Sequence, residues 1–135
     1  MSDINFRDNE HSKAYNTCLE RMKSRDVYHI SVAYLLTLTE DTRKHIGECF
    51  DFADDSIKLD ALNEPWQTST SRKATRLAFN LWNDYSYSSE SYTDKDGYEM
   101  PLPSVDYSVS SIFCCSYAPY FWQAVKLRFP EYTEE

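Results

Sequence analysis

Glycine is nearly absent from this chain: two of 135 residues, Gly47 and Gly97. So few positions free to take positive φ argue against a glycine loop around phosphate and against many tight hairpins, and they favour helices. Basic charge is scarce too, with 14 Lys and Arg against 22 Asp and Glu and a formal net charge of −8. Affinity for nucleic-acid backbones comes from cations neutralising phosphates, so direct nucleic-acid binding is not expected. Long apolar runs are missing. The longest, Val32 to Leu36, is far too short to cross a membrane. The opening MSDINFRDNEHSK lacks the apolar stretch of a secretory signal. No CxxC pair occurs among the four cysteines, and adjacent Cys114 and Cys115 would bridge only under strain. Reduced thiols in the cytoplasm are the expectation.

Aromatic residues, by contrast, make up 16% of the chain, enough with the aliphatic residues to build one real core. Helical periodicity dominates. Asp8 or Asn9 opens a helix to about Ser24, with Tyr15, Cys18, Leu19 and Met22 on one face. Asp26 is placed to cap a nearly all-apolar helix, Val27 to Leu38, the expected centre of a bundle. Thr39 caps a third, ended or broken near Gly47. Residues 48–68 read as irregular, anchored by Phe50, Phe52, Ile57, Leu59, Leu62 and Trp66. Ala74, Leu77, Ala78, Leu81 and Trp82 then mark the clearest helix, about Ser71 to Asn83. Ser104 or Ser108 can open a short helix through Cys114, and a last one runs from Pro119 to before Pro130. The expected fold is all-α: one compact domain over 1–135, five or six helices, and a long acidic, tyrosine-rich insertion at 84–106.

That insertion is the most unusual stretch. Asp84 to Tyr107 holds five tyrosines, six carboxylates and one lysine. Tyrosine offers rigid amphipathic contact area, and carboxylates set the sign of the field, so a protein partner is indicated. The expected contacts are Tyr85, Tyr87, Glu90, Tyr92, Asp94, Asp96, Tyr98 and Glu99. The competing reading is a solvated loop, acidic for solubility.

Two weaker constellations stand apart from it. Asp41, His45 and Cys49 recur every four residues, so His45 and Cys49 could ligate zinc with Asp41 behind the imidazole. Cys114 and Cys115 would complete the tetrahedron, with His11, Cys18 or His29 as substitutes. Free cysteines are often simply buried, and a helical His beside an acid is often a surface pair. A Cys-His-Asp triad is disfavoured, since one helical stripe lines its members up in a column. Ser69, Thr70, Ser71, Arg72 and Lys73, preceded by Gln67 and Thr68, form the only basic, hydroxyl-rich patch, able to hold an anion or simply to cap a helix. His29 reads as a core histidine bonded locally to Asp26, and Trp66, Trp82 and Trp122 as core or boundary aromatics.

The runs YLLTLTEDTRKHI, PWQTSTSRKATRLAFNLWN and IFCCSYAPYFWQAVKLRFPEY resemble a family of small, uncharacterised acidic proteins from phages, plasmids and conjugative elements of Gram-positive bacteria. The resemblance implies a mobile-element setting and supplies no catalytic residues to carry over, none being established for the family. Joined to the charge, it yields an expected function: a non-enzymatic inhibitor similar to anti-CRISPR proteins, covering the basic channel of a defence nuclease. The alternatives are a small metal-dependent or nucleotide-handling enzyme using His45 and Gln67–Lys73, and a structural interaction protein of the mobile element.

Overall fold

The computed structural model describes residues 3–133. Its elements run α1 (Asn9–Arg21), α2 (Val27–Leu36), α3 (Glu40–Lys44), α4 (Ile46–Cys49), β1 (Phe50–Asp51), β2 (Ser56–Ile57), a 3-10 turn (Leu59–Asn63) and α5 (Ser69–Asn83). They continue with β3 (Tyr87–Thr93), β4 (Glu99–Pro103), a 3-10 turn (Val105–Tyr107), α6 (Val109–Phe113), α7 (Ala118–Arg128) and a last 3-10 turn (Pro130–Tyr132).

The helices begin where short polar side chains take up otherwise unpaired amide donors. Asp8, Asp26, Thr39 and Ser108 each accept from a backbone N–H three residues on. Thr68 and Ser71 form a reciprocal box at the start of α5, each side chain bonded to the other's backbone N–H. Helix α2 is the axis of the core. Val32 through Leu36 are completely buried, packed by α1, α5 and α7. Facing them, Phe79 of α5 and Phe121 of α7 are also fully buried. Arg128 ties α7 to α5 by donating to the Leu81 carbonyl at 2.9 Å.

Strand content corrects the all-α expectation: the fold is mixed, with strand over 12% of the chain and two two-stranded antiparallel sheets among the described residues. The smaller sheet, β1–β2, lies in the stretch expected to be irregular. Asp51 closes its turn by accepting from Ala53 and Asp54 N–H, and Asp55 takes left-handed φ 57, which aspartate tolerates better than most residues. The larger sheet, β3–β4, occupies the expected insertion loop. A bulge that sets Ser88 to Glu90 against Leu102 alone, two residues more than its partner strand, interrupts the regular pairing between Tyr87 and Ser91 and hides the strand from sequence reading.

Candidate functional site

Helix α5 stops at Asp84, whose left-handed φ of 64 turns the chain out of the bundle. Tyr85 and Tyr107 then form the foot of the β3–β4 hairpin, ring centroids 5.9 Å apart, with Tyr85 also 5.6 Å from Tyr87. Asn80 donates to the Tyr85 carbonyl, Ser104 N–H to Ser86 O at 2.9 Å, and Arg76 pairs with Asp106 at 3.4 Å. At the far end Asp94 accepts from Asp96 and Tyr98 N–H, while Gly97 supplies φ 88, a turn conformation natural to glycine. The hairpin is anchored at its base and projects beyond it.

Its two faces differ. Tyr92 pairs with Met100, and the alternation of a strand puts Tyr98 and Leu102 on the same side. Their exposures are 49%, 37%, 69% and 36%, so four apolar or aromatic side chains share one open face. Ser91, Thr93, Glu99, Pro101 and Pro103 occupy the other. Glu90, Asp94, Asp96 and Glu99 have no ion-pair partner among the described residues, so the hairpin carries unpaired negative charge beside its apolar face and, at Glu99, on the opposite one. Such a surface suits a partner that is basic and partly apolar.

Of the residues expected from sequence, Tyr87, Glu90, Tyr92, Asp94, Asp96, Tyr98 and Glu99 lie on this hairpin, all of them exposed or half-buried. Tyr85 is different: it packs against the core and supports the foot. Met100 and Leu102 were missed because Met-Pro-Leu-Pro reads as a turn marker, although its alternation of apolar side chains with prolines was the available signal. Beneath the foot lies a cleft of about 340 Å³ lined by Leu62, Arg76, Tyr85, Tyr87, Ser88 and Tyr107 among others. Burial pushes the Tyr107 hydroxyl up to about 12, and it lacks a hydrogen-bond partner among the described residues.

The zinc constellation does not assemble. The helical stripe breaks at His45, which caps α3 with φ −118 and starts α4, so Asp41, His45 and Cys49 do not share one helix; Gly47 sits inside α4 and is not the break. His45 bonds Glu48 and stacks on Trp66, centroids 4.3 Å apart. Cys49 is fully buried, its thiol pushed up to about 12 by that burial, whereas Cys114 is exposed and Cys115 half-buried. Cys18 is buried and likewise raised to about 12. Among the described residues no three His, Cys, Asp or Glu side chains converge on a metal position.

His11 is enclosed, with its Nε2 2.8 Å from the Tyr34 carbonyl, and burial lowers its pKa. His29 meets Asp26 as expected, at 2.7 Å from Nδ1, but its Nε2 also meets Asp55 at 2.7 Å. Burial alone would lower its pKa. The two carboxylates outweigh burial and raise it.

Much of the hydroxyl patch is engaged in local bonds. Ser71 and Thr68 spend their side chains on the capping box, Arg72 donates to Leu62 O at 3.0 Å, and Lys73 to Cys114 O at 2.9 Å. Ser69 and Thr70 fill the first turn of α5, where Thr70 borders a cleft of about 200 Å³ shared with Arg7 but also with Glu40 and Asp41. Those two carboxylates oppose an anion there. Trp82 packs on His29 and Phe50, as a boundary aromatic does, while Trp122 is half exposed against Phe113.

Across the described residues no helix is long and apolar enough to cross a membrane. The model of a family of unknown function, DUF6075, matches residues 1–135. The chain belongs to that family. No curated protein and no solved structure matches it significantly. Membership in DUF6075 assigns no activity, which leaves the exposed acidic hairpin as the candidate functional surface.

Proposed function

We infer that this DUF6075 protein is a non-enzymatic, protein-binding inhibitor from a phage or other mobile element, of the anti-CRISPR type, which lays its acidic hairpin against the basic nucleic-acid-binding surface of a host defence nuclease. One observation carries the reading: Tyr92, Tyr98, Met100 and Leu102 form an open apolar face bordered by carboxylates without cationic partners, on a hairpin held firmly at its foot. Residues 84–106 carry a net charge of −5. Placed over a channel built to neutralise phosphates, that charge supplies attraction and orientation, and the apolar face supplies desolvated contact. Anchoring limits the ordering entropy lost on docking.

The test is a cleavage assay on RNA-guided and other defence nucleases of Gram-positive bacteria, with the protein added before substrate nucleic acid. Inhibition of one of them, weakening as salt rises and relieved by combined Glu90→Lys, Asp96→Lys and Glu99→Lys substitution, is the expected result. Full inhibition by the charge-reversed protein, or none by the wild type across the panel, would sink the proposal.

A further inference from the structure

The two open edges of the hairpin are not equivalent. Asp94 N–H bonds Tyr98 O and Ser104 N–H bonds Ser86 O, which marks these as hydrogen-bonded pairs of the ladder. Such pairs alternate with non-bonded ones, so Tyr92–Met100 is bonded while Ser91–Pro101, Thr93–Glu99 and Tyr87–Pro103 are not. The backbone groups of Glu99, Pro101 and Pro103 therefore face outward along β4, and those of Ser91 and Thr93 face outward along β3. Two of the three outward positions on β4 are prolines, which have no N–H to offer. That edge is closed to strand pairing, a device proteins use against edge-to-edge aggregation. On β3 the bulge at residues 88–90 ends the open edge on one side and the Asp94 turn ends it on the other. Between them the amides and carbonyls of Ser91 and Thr93 remain exposed, bracketed by Glu90 and Asp94.

We propose that the β3 edge at Ser91–Thr93 receives an extended basic segment of the partner protein as a third strand. This deepens the docking reading above and rests on it. Strand addition draws affinity from backbone hydrogen bonds and specificity from alternate side chains. Here the incoming strand meets Tyr92 on the apolar face and Ser91 and Thr93 on the other, with the Glu99 carboxylate one strand further in and bonded to the Ser91 hydroxyl, so it should alternate apolar with long basic residues. A second copy of this chain fits poorly, because pairing β3 with β3 brings Glu90 and Asp94 of both copies together.

A synthetic octapeptide alternating lysine and valine serves as the probe, titrated into the full-length protein and followed by fluorescence anisotropy and amide hydrogen exchange. Binding is expected with new protection at the Ser91 and Thr93 amides. Thr93→Pro removes an outward N–H while sparing the inward ladder bonds of Tyr92 and Asp94, and should weaken binding about tenfold or more. The same peptide N-methylated throughout should not bind. No binding of the unmodified peptide, affinities within about twofold for the methylated one, or protection confined to other residues would overturn the proposal, as would a dimer in sedimentation that Thr93→Pro dissolves. Should Thr93→Pro unfold the hairpin, the methylated peptide on the wild-type chain still decides. If the peptide fails while charge reversal still relieves nuclease inhibition, strand addition is wrong and hairpin docking survives.

Discussion

Replacing His29 by glutamine should cost stability in a pH-dependent way, because the imidazole holds two carboxylates at once. Both ring nitrogens lie 2.7 Å from an acid oxygen, Asp26 on one side and Asp55 on the other. Only the imidazolium has a donor for each; a neutral ring has one N–H and leaves the other carboxylate facing a lone pair. The folded-state pKa of His29 is raised above the ordinary 6.5, so its stabilisation is complete below that value and is lost as pH rises through the higher folded pKa. Asp26 acts at the acid end. Burial pushes its pKa up, but the His29 bonds outweigh this and lower it below 3.8, so its share is present above that value and is lost as pH falls through the folded pKa. The cluster is therefore strongest in mildly acidic solution. Removing one partner of a buried ion pair costs about 3–5 kcal/mol. Asp26 is 49% exposed and Asp55 31%, so solvent screening reduces this to about 2 kcal/mol at about pH 5.5. That corresponds to a melting temperature lower by about 6–10 °C. At about pH 9 the difference should shrink to about 1 kcal/mol or less, since the neutral ring keeps one bond and its contacts with Trp82 and Phe50. Urea melts of wild type and His29→Gln at both pH values give the difference directly. Comparing the two proteins also cancels His11, whose lowered pKa destabilises the fold in acid. A wild-type-to-variant difference that is the same at both pH values, or larger in alkali, would refute the two-carboxylate argument.

Other consequences are simpler to check. Thr68→Ala should cost about 1 kcal/mol by thermal melt, through loss of one half of the α5 capping box. Phe79→Ala, at a fully buried site against α2, should cost about 3–5 kcal/mol in urea unfolding. Charge reversal at Glu90, Asp96 and Glu99 should leave stability within about 0.5 kcal/mol per site, since these exposed carboxylates have no ion-pair partner among the described residues and hold no backbone N–H, so any loss of nuclease inhibition reports contact rather than unfolding. In native protein a thiol reagent should label Cys114 fastest and leave Cys18 and Cys49 unmodified until denaturant is added, because burial holds both thiols protonated.

Local chemistry made most of the helices legible in the sequence. Asp26 and Thr39 cap helices as read, Asp8 and Ser108 prove to be the caps among the paired choices Asp8 or Asn9 and Ser104 or Ser108, and Ala74, Leu77, Ala78 and Leu81 form the buried stripe of α5. These signals act within one or two turns, so they survive without knowledge of the rest of the chain. The position of the acidic surface was likewise legible as composition. Its architecture was not, because a strand is completed by a distant partner and the bulge at 88–90 erased the alternation that marks one. Nor could sequence place Asp55 on His29, 26 residues away, or deny His45, Cys49 and Cys114 a common metal position, since both depend on how separate elements pack. By itself the sequence determined where helices start, which stripes are buried and where negative charge gathers. Only the tertiary structure decided that this charge rides on a projecting hairpin with one apolar face, one proline-blocked edge and one open edge, because cross-strand pairing and side-chain facing are set by contacts between segments rather than within them.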